Sequence, residues 1–306
     1  MRKNTKKSDA VSAAKPAAVS GSQKTSATNR ENTEGLFKFV FGRNKAWLLE
    51  LFNVLNAEHY DNPDVIEMIT VDELVRICAK YTLFFQVGDA IYFYEAQNSI
   101  GPNLPFRFEL YFGLVYSKYI TKHNLDLDSP VPVRFPAPQF ICFHEGEQET
   151  EDITIVDRNT VLLNADDEKA GLENATKVLA VNKSKIVRKG VLARFDENHQ
   201  KCDGATVVML NINRGHNEDL LKACRPLGEY SELLRNIRNF HDEARKRSGK
   251  QGSFEKEEEY AMLGEAVRKA VEKMPEDALL KGFLVQELEK VIDICIDTYN
   301  DFPTSL

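Results

Sequence analysis

From residue 34 onward the chain switches repeatedly between helical and strand-like hydrophobic periods. In GLFKFVFGRNKAWLLELFNVLNA, Phe37, Phe41, Leu48, Leu51, Phe52 and Leu55 fall on one helical face. That spacing predicts a core-facing helix, bent or interrupted at Gly42. Asp61-Asn62-Pro63 marks a turn. VIEMITVDELVRICAKYTLFFQV then predicts two extended segments with an irregular region around residues 72–74.

The next run, YTLFFQVGDAIYFYEAQNSIGPNLPFR, predicts a hairpin. Gly88-Asp89 is a two-residue turn signal between runs rich in β-branched and aromatic residues. If those two residues form the turn, Val87 faces Ala90, Gln86 faces Ile91, Phe84 faces Phe93, Thr82 faces Glu95 and Lys80 faces Gln97. Side chains alternate along a strand, so Lys80, Thr82, Glu95 and Gln97 share one face at one end of the hairpin. NSIGPNLP is a loop, and Pro105 suits the first turn of a following helix, FRFELYFGLVYSKYITKH. Apolar residues cover more than half of that helix's circumference, which predicts deep burial.

DSPVPVRFPAP reads as a proline-rich connector, QFICFH as an interior strand and ATVVMLNIN as another. Residues 147–203 between them are charged and irregular, with an insertion at about 165–203 at the edge of the domain. From His216 the pattern is helical: NEDLLKACRPLGEYSELLRNIRNFHDEARKR, FEKEEEYAMLGEAVRKAVEKM and ALLKGFLVQELEKVIDICIDTY. The expected class is α/β, a mixed sheet with helices packed on it. The expected organisation is a tail over 1–33, a core over 34–215 and a C-terminal helical region over 216–306, through which the chain could form a homo-oligomer.

Charge separates the tail from the body. Of the 40 basic and 47 acidic residues, residues 1–30 hold seven and one, which leaves 33 and 46 for the rest, a net of −13. The tail, poor in large apolar side chains, is expected to be disordered. It lacks the apolar region of a secretory signal. An acidic body does not attract DNA over its whole surface, so nucleic-acid contact must be local, in a lined cleft or through the tail. No apolar run is long enough to span a membrane. The five cysteines are scattered without a CxxC pair, as expected of thiols in a cytoplasmic protein.

The shared hairpin face carries the chemistry. Phosphodiester hydrolysis by a metal-activated water needs one acid on a strand, a second acid on its neighbour, and a polar or cationic residue two positions later. Glu95 and Gln97 take the second and third places, and Thr82 stands where the first acid belongs. Glu34 is a candidate further carboxylate, or a helix N-terminal acid that favours the helix dipole. Lys80 is a candidate phosphate contact or a solvated strand-end lysine. Arg107 either contacts phosphate or pairs with a nearby acid. Asp89 is explained by its turn, and Asp72 and Glu73 are weaker candidates.

Three blocks in order, GLFKFVFG, IYFYEAQNSIGPNLPFRFELYFGLVY and LNINRGHNEDLLKACRPLGEY, resemble the bacterial recombination-promoting nuclease (Rpn) or transposase family of the PD-(D/E)XK nuclease superfamily. The resemblance covers roughly residues 34–145 and 204–240. It implies a restriction-endonuclease-like core, Mg²⁺- or Mn²⁺-dependent DNA cleavage and a link to recombination. Glu34 matches the family's early acid, Glu95 the sheet acid and Gln97 the residue in the lysine slot, so the resemblance implies Glu34 and Glu95 as metal ligands. Thr82 stands at the central aspartate, and Ala96 replaces a common histidine. Two functions follow as expectations: a DNA endonuclease weakened at Thr82, or an inactive pseudonuclease that binds DNA or a partner. A scaffold built on the C-terminal helices is a third.

Overall fold

The computed structural model describes residues 35–70, 80–99, 101, 103–157, 206–250 and 254–301. The tail over 1–33, Glu34, Asp72, Glu73, Cys78, Cys202 and the 165–203 insertion lie outside the described residues.

The first helical pattern becomes two helices, α1 (Leu36–Arg43) and α2 (Lys45–Asn56). The break falls at Asn44, two residues after the expected Gly42. Asn44 leaves the helical region, and its side chain accepts from the backbone N–H groups of Ala46 and Trp47 at 3.0 and 3.2 Å. It therefore caps α2 and satisfies donors that the helix cannot. A short 3₁₀ turn, Pro63–Val65, leads into β1 (Glu67–Met68).

The hairpin β2 (Thr82–Val87) and β3 (Ala90–Gln97) has the expected antiparallel register from Val87–Ala90 out to Thr82–Glu95. Gly88 has φ of 56°, the left-handed conformation that glycine supplies without steric cost. The ladder stops at Thr82. Lys80 therefore does not face Gln97 as expected; it lies in a turn, with Nζ over the Tyr81 ring.

Helix α3 (Leu104–Lys122) begins with Pro105 in its first turn, where a missing N–H costs nothing. Then come β4 (Ala137–His144), β5 (Ile153–Asp157) and β6 (Thr206–Asn211). The strand β5 corrects the reading of residues 147–203 as irregular. The six strands form one mixed sheet in the order β1-β2-β3-β4-β6-β5. β3, β4 and β6 run parallel, and the remaining neighbours are antiparallel. The C-terminal pattern resolves into α4 (Glu218–Ala223), α5 (Arg225–Arg247), α6 (Lys256–Lys273), α7 (Lys281–Gln286) and α8 (Leu288–Asp301).

Strand alternation divides the core into two layers. Leu83, Phe85, Tyr92, Tyr94, Ile141, Phe143 and Leu210 pack with α1, α2 and the C-terminal helices. Phe84, Ile91, Phe93, Phe140, Cys142 and Met209 pack with α3. The C-terminal helices thus spend their apolar faces on the same core as the sheet: Leu233, Val267 and Val291 are fully buried in it. α3 is less buried than its composition predicts. It covers the sheet on one side only, so Phe106, Leu110 and Leu114 form an outward stripe.

Candidate active site

The site sits at the carboxyl ends of the parallel strands, where α/β sheets open crevices for ligands. Register aligns Gln97, His144 and Asn211 across β3, β4 and β6. Alternation puts Thr82, Glu95 and Gln97 on the α3 face. Arg107 reaches them from the first turn of α3, whose start is tied down by backbone bonds from Leu104 N to Gly101 O and from Arg107 N to Asn103 O, both 3.0 Å.

Thr82 and Glu95 are both buried. A buried carboxylate without partners carries a severe desolvation cost, and here each oxygen has a donor. The Thr82 hydroxyl donates to Oε2 at 2.5 Å, and the Arg107 guanidinium donates to Oε1. Arg107 Nη2 also donates to Gln97 Oε1 at 2.8 Å, and the Gln97 amide donates to the Ser99 carbonyl. Burial is the largest influence on Glu95 and pushes its pKa up. The Arg107 charge, the Thr82 hydroxyl and the Lys38 charge oppose it.

A cleft of about 90 Å³ opens over this cluster. It is lined by Gly35, Leu36 and Phe37 from the start of α1, by Glu95, Gln97 and Arg107, and by residues that sequence reading did not single out: Glu145, Arg238, Cys295 and Thr298. Glu145 follows β4 and turns to the opposite sheet face, where the Tyr230 hydroxyl donates to its carboxylate at 2.8 Å. Burial raises its pKa from 4.5 to about 7, against the Tyr230 hydrogen bond and the Arg238 charge. Arg238 donates to the Glu145 carbonyl and, at 3.1 Å, to Asn213 Oδ1. Gly146 lies against the Asn98 carbonyl, so close that a Cβ would overlap it. This close approach continues the β3–β4 pairing, as does the 3.1 Å bond from Glu145 N to Gln97 O.

The structure therefore brings together Thr82, Glu95, Gln97 and Arg107, and sets Lys80 apart in its turn. Mg²⁺ and Mn²⁺ require several oxygen donors with net negative charge. Each Glu95 oxygen already accepts one hydrogen bond, from a hydroxyl or a guanidinium, and the Arg107 charge lies against the carboxylate. Glu145, the other carboxylate at the cleft, faces away from Glu95 across the sheet. Among the described residues no three His, Cys, Asp or Glu side chains gather as a metal site. Of the two expected metal ligands the described residues hold only Glu95, paired with a guanidinium.

No family model, curated protein or solved structure matches the chain. No helix among the described residues is long and apolar enough to cross a membrane.

Proposed function

We propose that the protein descends from PD-(D/E)XK nucleases of the recombination-promoting type and acts as a DNA-binding module whose hydrolytic centre is closed by its own side chains. The observation that carries this reading is the capping of Glu95 on both oxygens, by Thr82 and by Arg107. A threonine in place of the strand acid removes one charge, and the arginine neutralises the other. The mixed sheet, with its antiparallel hairpin and the helix that follows it, supports the nuclease-like core that the resemblance implies.

Metal-dependent DNA cleavage, the family's own activity, is the second reading. It is favoured by the way the register sets Glu95 and Gln97 side by side on one sheet face beneath an open cleft. Losing a metal ligand costs several kcal/mol of transition-state stabilisation, so any such activity is weak.

Plasmid nicking in Mg²⁺ and Mn²⁺, with wild type, Thr82→Asp and Glu95→Ala, separates the two, alongside DNA-binding titrations with and without residues 1–33. Binding without nicking by wild type, with nicking gained in Thr82→Asp, is the expected result. Wild-type nicking abolished by Glu95→Ala would establish the endonuclease instead. Absence of DNA binding in the full chain would overturn the proposal.

A further inference from the structure

Beside the first cleft lies a second, of about 220 Å³, formed by the loop after β4, the loop after β6 and one face of α5. Its cations are Arg214, Arg235 and Arg238. Ser231, Arg235 and Arg238 are spaced four and three residues apart on α5, and therefore line one helical face. Arg214 and His216 come from the loop after β6. Arg238 lines both clefts.

Arg238 is an unusual cation. It is partly buried, and its hydrogen bonds go to neutral oxygens, the Glu145 carbonyl and Asn213 Oδ1. It makes no ion pair among the described residues, and neither does Arg214. The Arg238 hydrogen bonds are to carbonyl oxygens, and the charge it meets from within is that of the Glu145 carboxylate. His216 is fixed at the rim by Asp152, with Nδ1 and Oδ1 2.8 Å apart. The positions are set by structure rather than left to flexible side chains: Asn213 Nδ2 bonds the Gly146 carbonyl at 2.8 Å, and Asn217 Nδ2 bonds the Asn211 carbonyl at 2.9 Å. The opposing charges are Glu145 beneath Arg238, Asp152 on His216, Glu147 and Glu149, both exposed on the loop, and Glu232, which pairs with Arg235 at 2.8 Å.

We propose that this second cleft is a phosphate-binding site for a nucleic-acid backbone, with Arg238 at its floor and Arg214, Arg235 and His216 as its outer wall. The strand path then runs from the Glu95 cleft past Arg238 along α5. A body of net −13 holds DNA only through a local concentration of guanidinium groups of this kind or through the basic tail. The inference rests on the DNA-binding reading above and adds the surface that performs it.

The test is fluorescence anisotropy of a labelled duplex and of a labelled single strand against the full chain at several salt concentrations. Variants are Arg214→Ala/Arg235→Ala, Arg238→Lys and Glu147→Gln/Glu149→Gln, with thermal melts to verify folding. The double arginine variant, at one exposed and one half-buried position, is expected to bind about tenfold more weakly and to lower the salt slope by roughly two. The double glutamine variant is expected to bind two- to threefold more tightly, by relief of like-charge repulsion. Arg238→Lys retains charge but loses the two-pronged anchoring, and is expected to bind more weakly with an unchanged salt slope. Wild-type affinity and slope in the double arginine variant, with DNA still bound, would overturn this surface and leave the DNA-binding reading standing. Absence of DNA binding by wild type would remove both. Binding of inorganic phosphate at millimolar concentration, read by calorimetry and lost in the double arginine variant, in a chain that binds no DNA would identify a free-phosphate site and overturn the backbone assignment.

Discussion

Glu145 offers a sharp test of the geometry around the cleft. Its carboxylate lies among Phe37, Leu234 and Cys295, with the Tyr230 hydroxyl as its direct partner. Burial moves its pKa from 4.5 to about 7, and at about 1.4 kcal/mol per unit this is roughly 3 kcal/mol. Glu145 keeps some exposure at the cleft, so about 2–3 kcal/mol is the expected effect. The folded state holds this proton more tightly than the unfolded chain, which ionises near 4.5. Between pH 4.5 and pH 7 the unfolded state therefore binds fewer protons, and wild-type stability from this group falls as pH rises. It is fully present below pH 4.5 and lost above pH 7. Glu145→Gln keeps an oxygen acceptor for Tyr230 and removes the titration. Urea unfolding of wild type and Glu145→Gln at half-unit steps from pH 4.5 to 8 measures the difference. The variant should gain about 2–3 kcal/mol relative to wild type across that range. His144 and His241, both pushed down by burial, give a slope of opposite sign, but they act equally in both proteins and cancel in the comparison. A stability difference that stays constant from pH 4.5 to 8 would refute the placement of Glu145 in a water-poor pocket.

Two other substitutions probe the same end of the sheet. Thr82→Val removes the 2.5 Å hydrogen bond to a buried carboxylate and should cost about 2 kcal/mol in denaturant titrations, while Thr82→Ser keeps the donor and should cost about half as much; a Val variant as stable as wild type beside a destabilised Ser variant would show that the methyl group matters and the hydroxyl does not. Gly146→Ala drives a methyl group into the Asn98 backbone and should destabilise by about 3 kcal/mol or more or prevent folding, read by thermal melting; a variant within about 0.5 kcal/mol of wild type would show that β3 and β4 do not approach there as described.

What the sequence made legible depended on how far apart the cooperating residues lie. Thr82, Glu95, Gln97 and Arg107 span one hairpin and one helical turn, so a two-residue turn and strand alternation suffice to set three of them on one face. The lysine two residues further out was misplaced because the same arithmetic assumes that pairing continues, and the ladder ends at Thr82. β5 was missed because EDITIVD is short and follows an acidic run; nothing local separates an edge strand buried by its neighbours from a loop. Asn44 did carry a signal, a capping residue before a helical run, which outweighs the glycine two positions earlier. α3 misled in the other direction: its wide apolar surface predicts burial all round, but a single sheet layer covers only one side. Glu145 and Arg238 are separated by 93 positions, and no spacing rule connects them; only the folding of α5 over the strand ends does so. The most consequential difference concerns Thr82. In the sequence it marks a missing acid. In the structure it is a donor to one oxygen of Glu95 while Arg107 donates to the other, so its hydroxyl is part of what holds that carboxylate in the sheet. A hydroxyl in that position donates to the carboxylate beside the Arg107 charge, whereas an aspartate there would set a second negative charge against it. The same sheet end thus carries one negative charge and two donors in this chain, where an aspartate at position 82 would give it two negative charges and one donor.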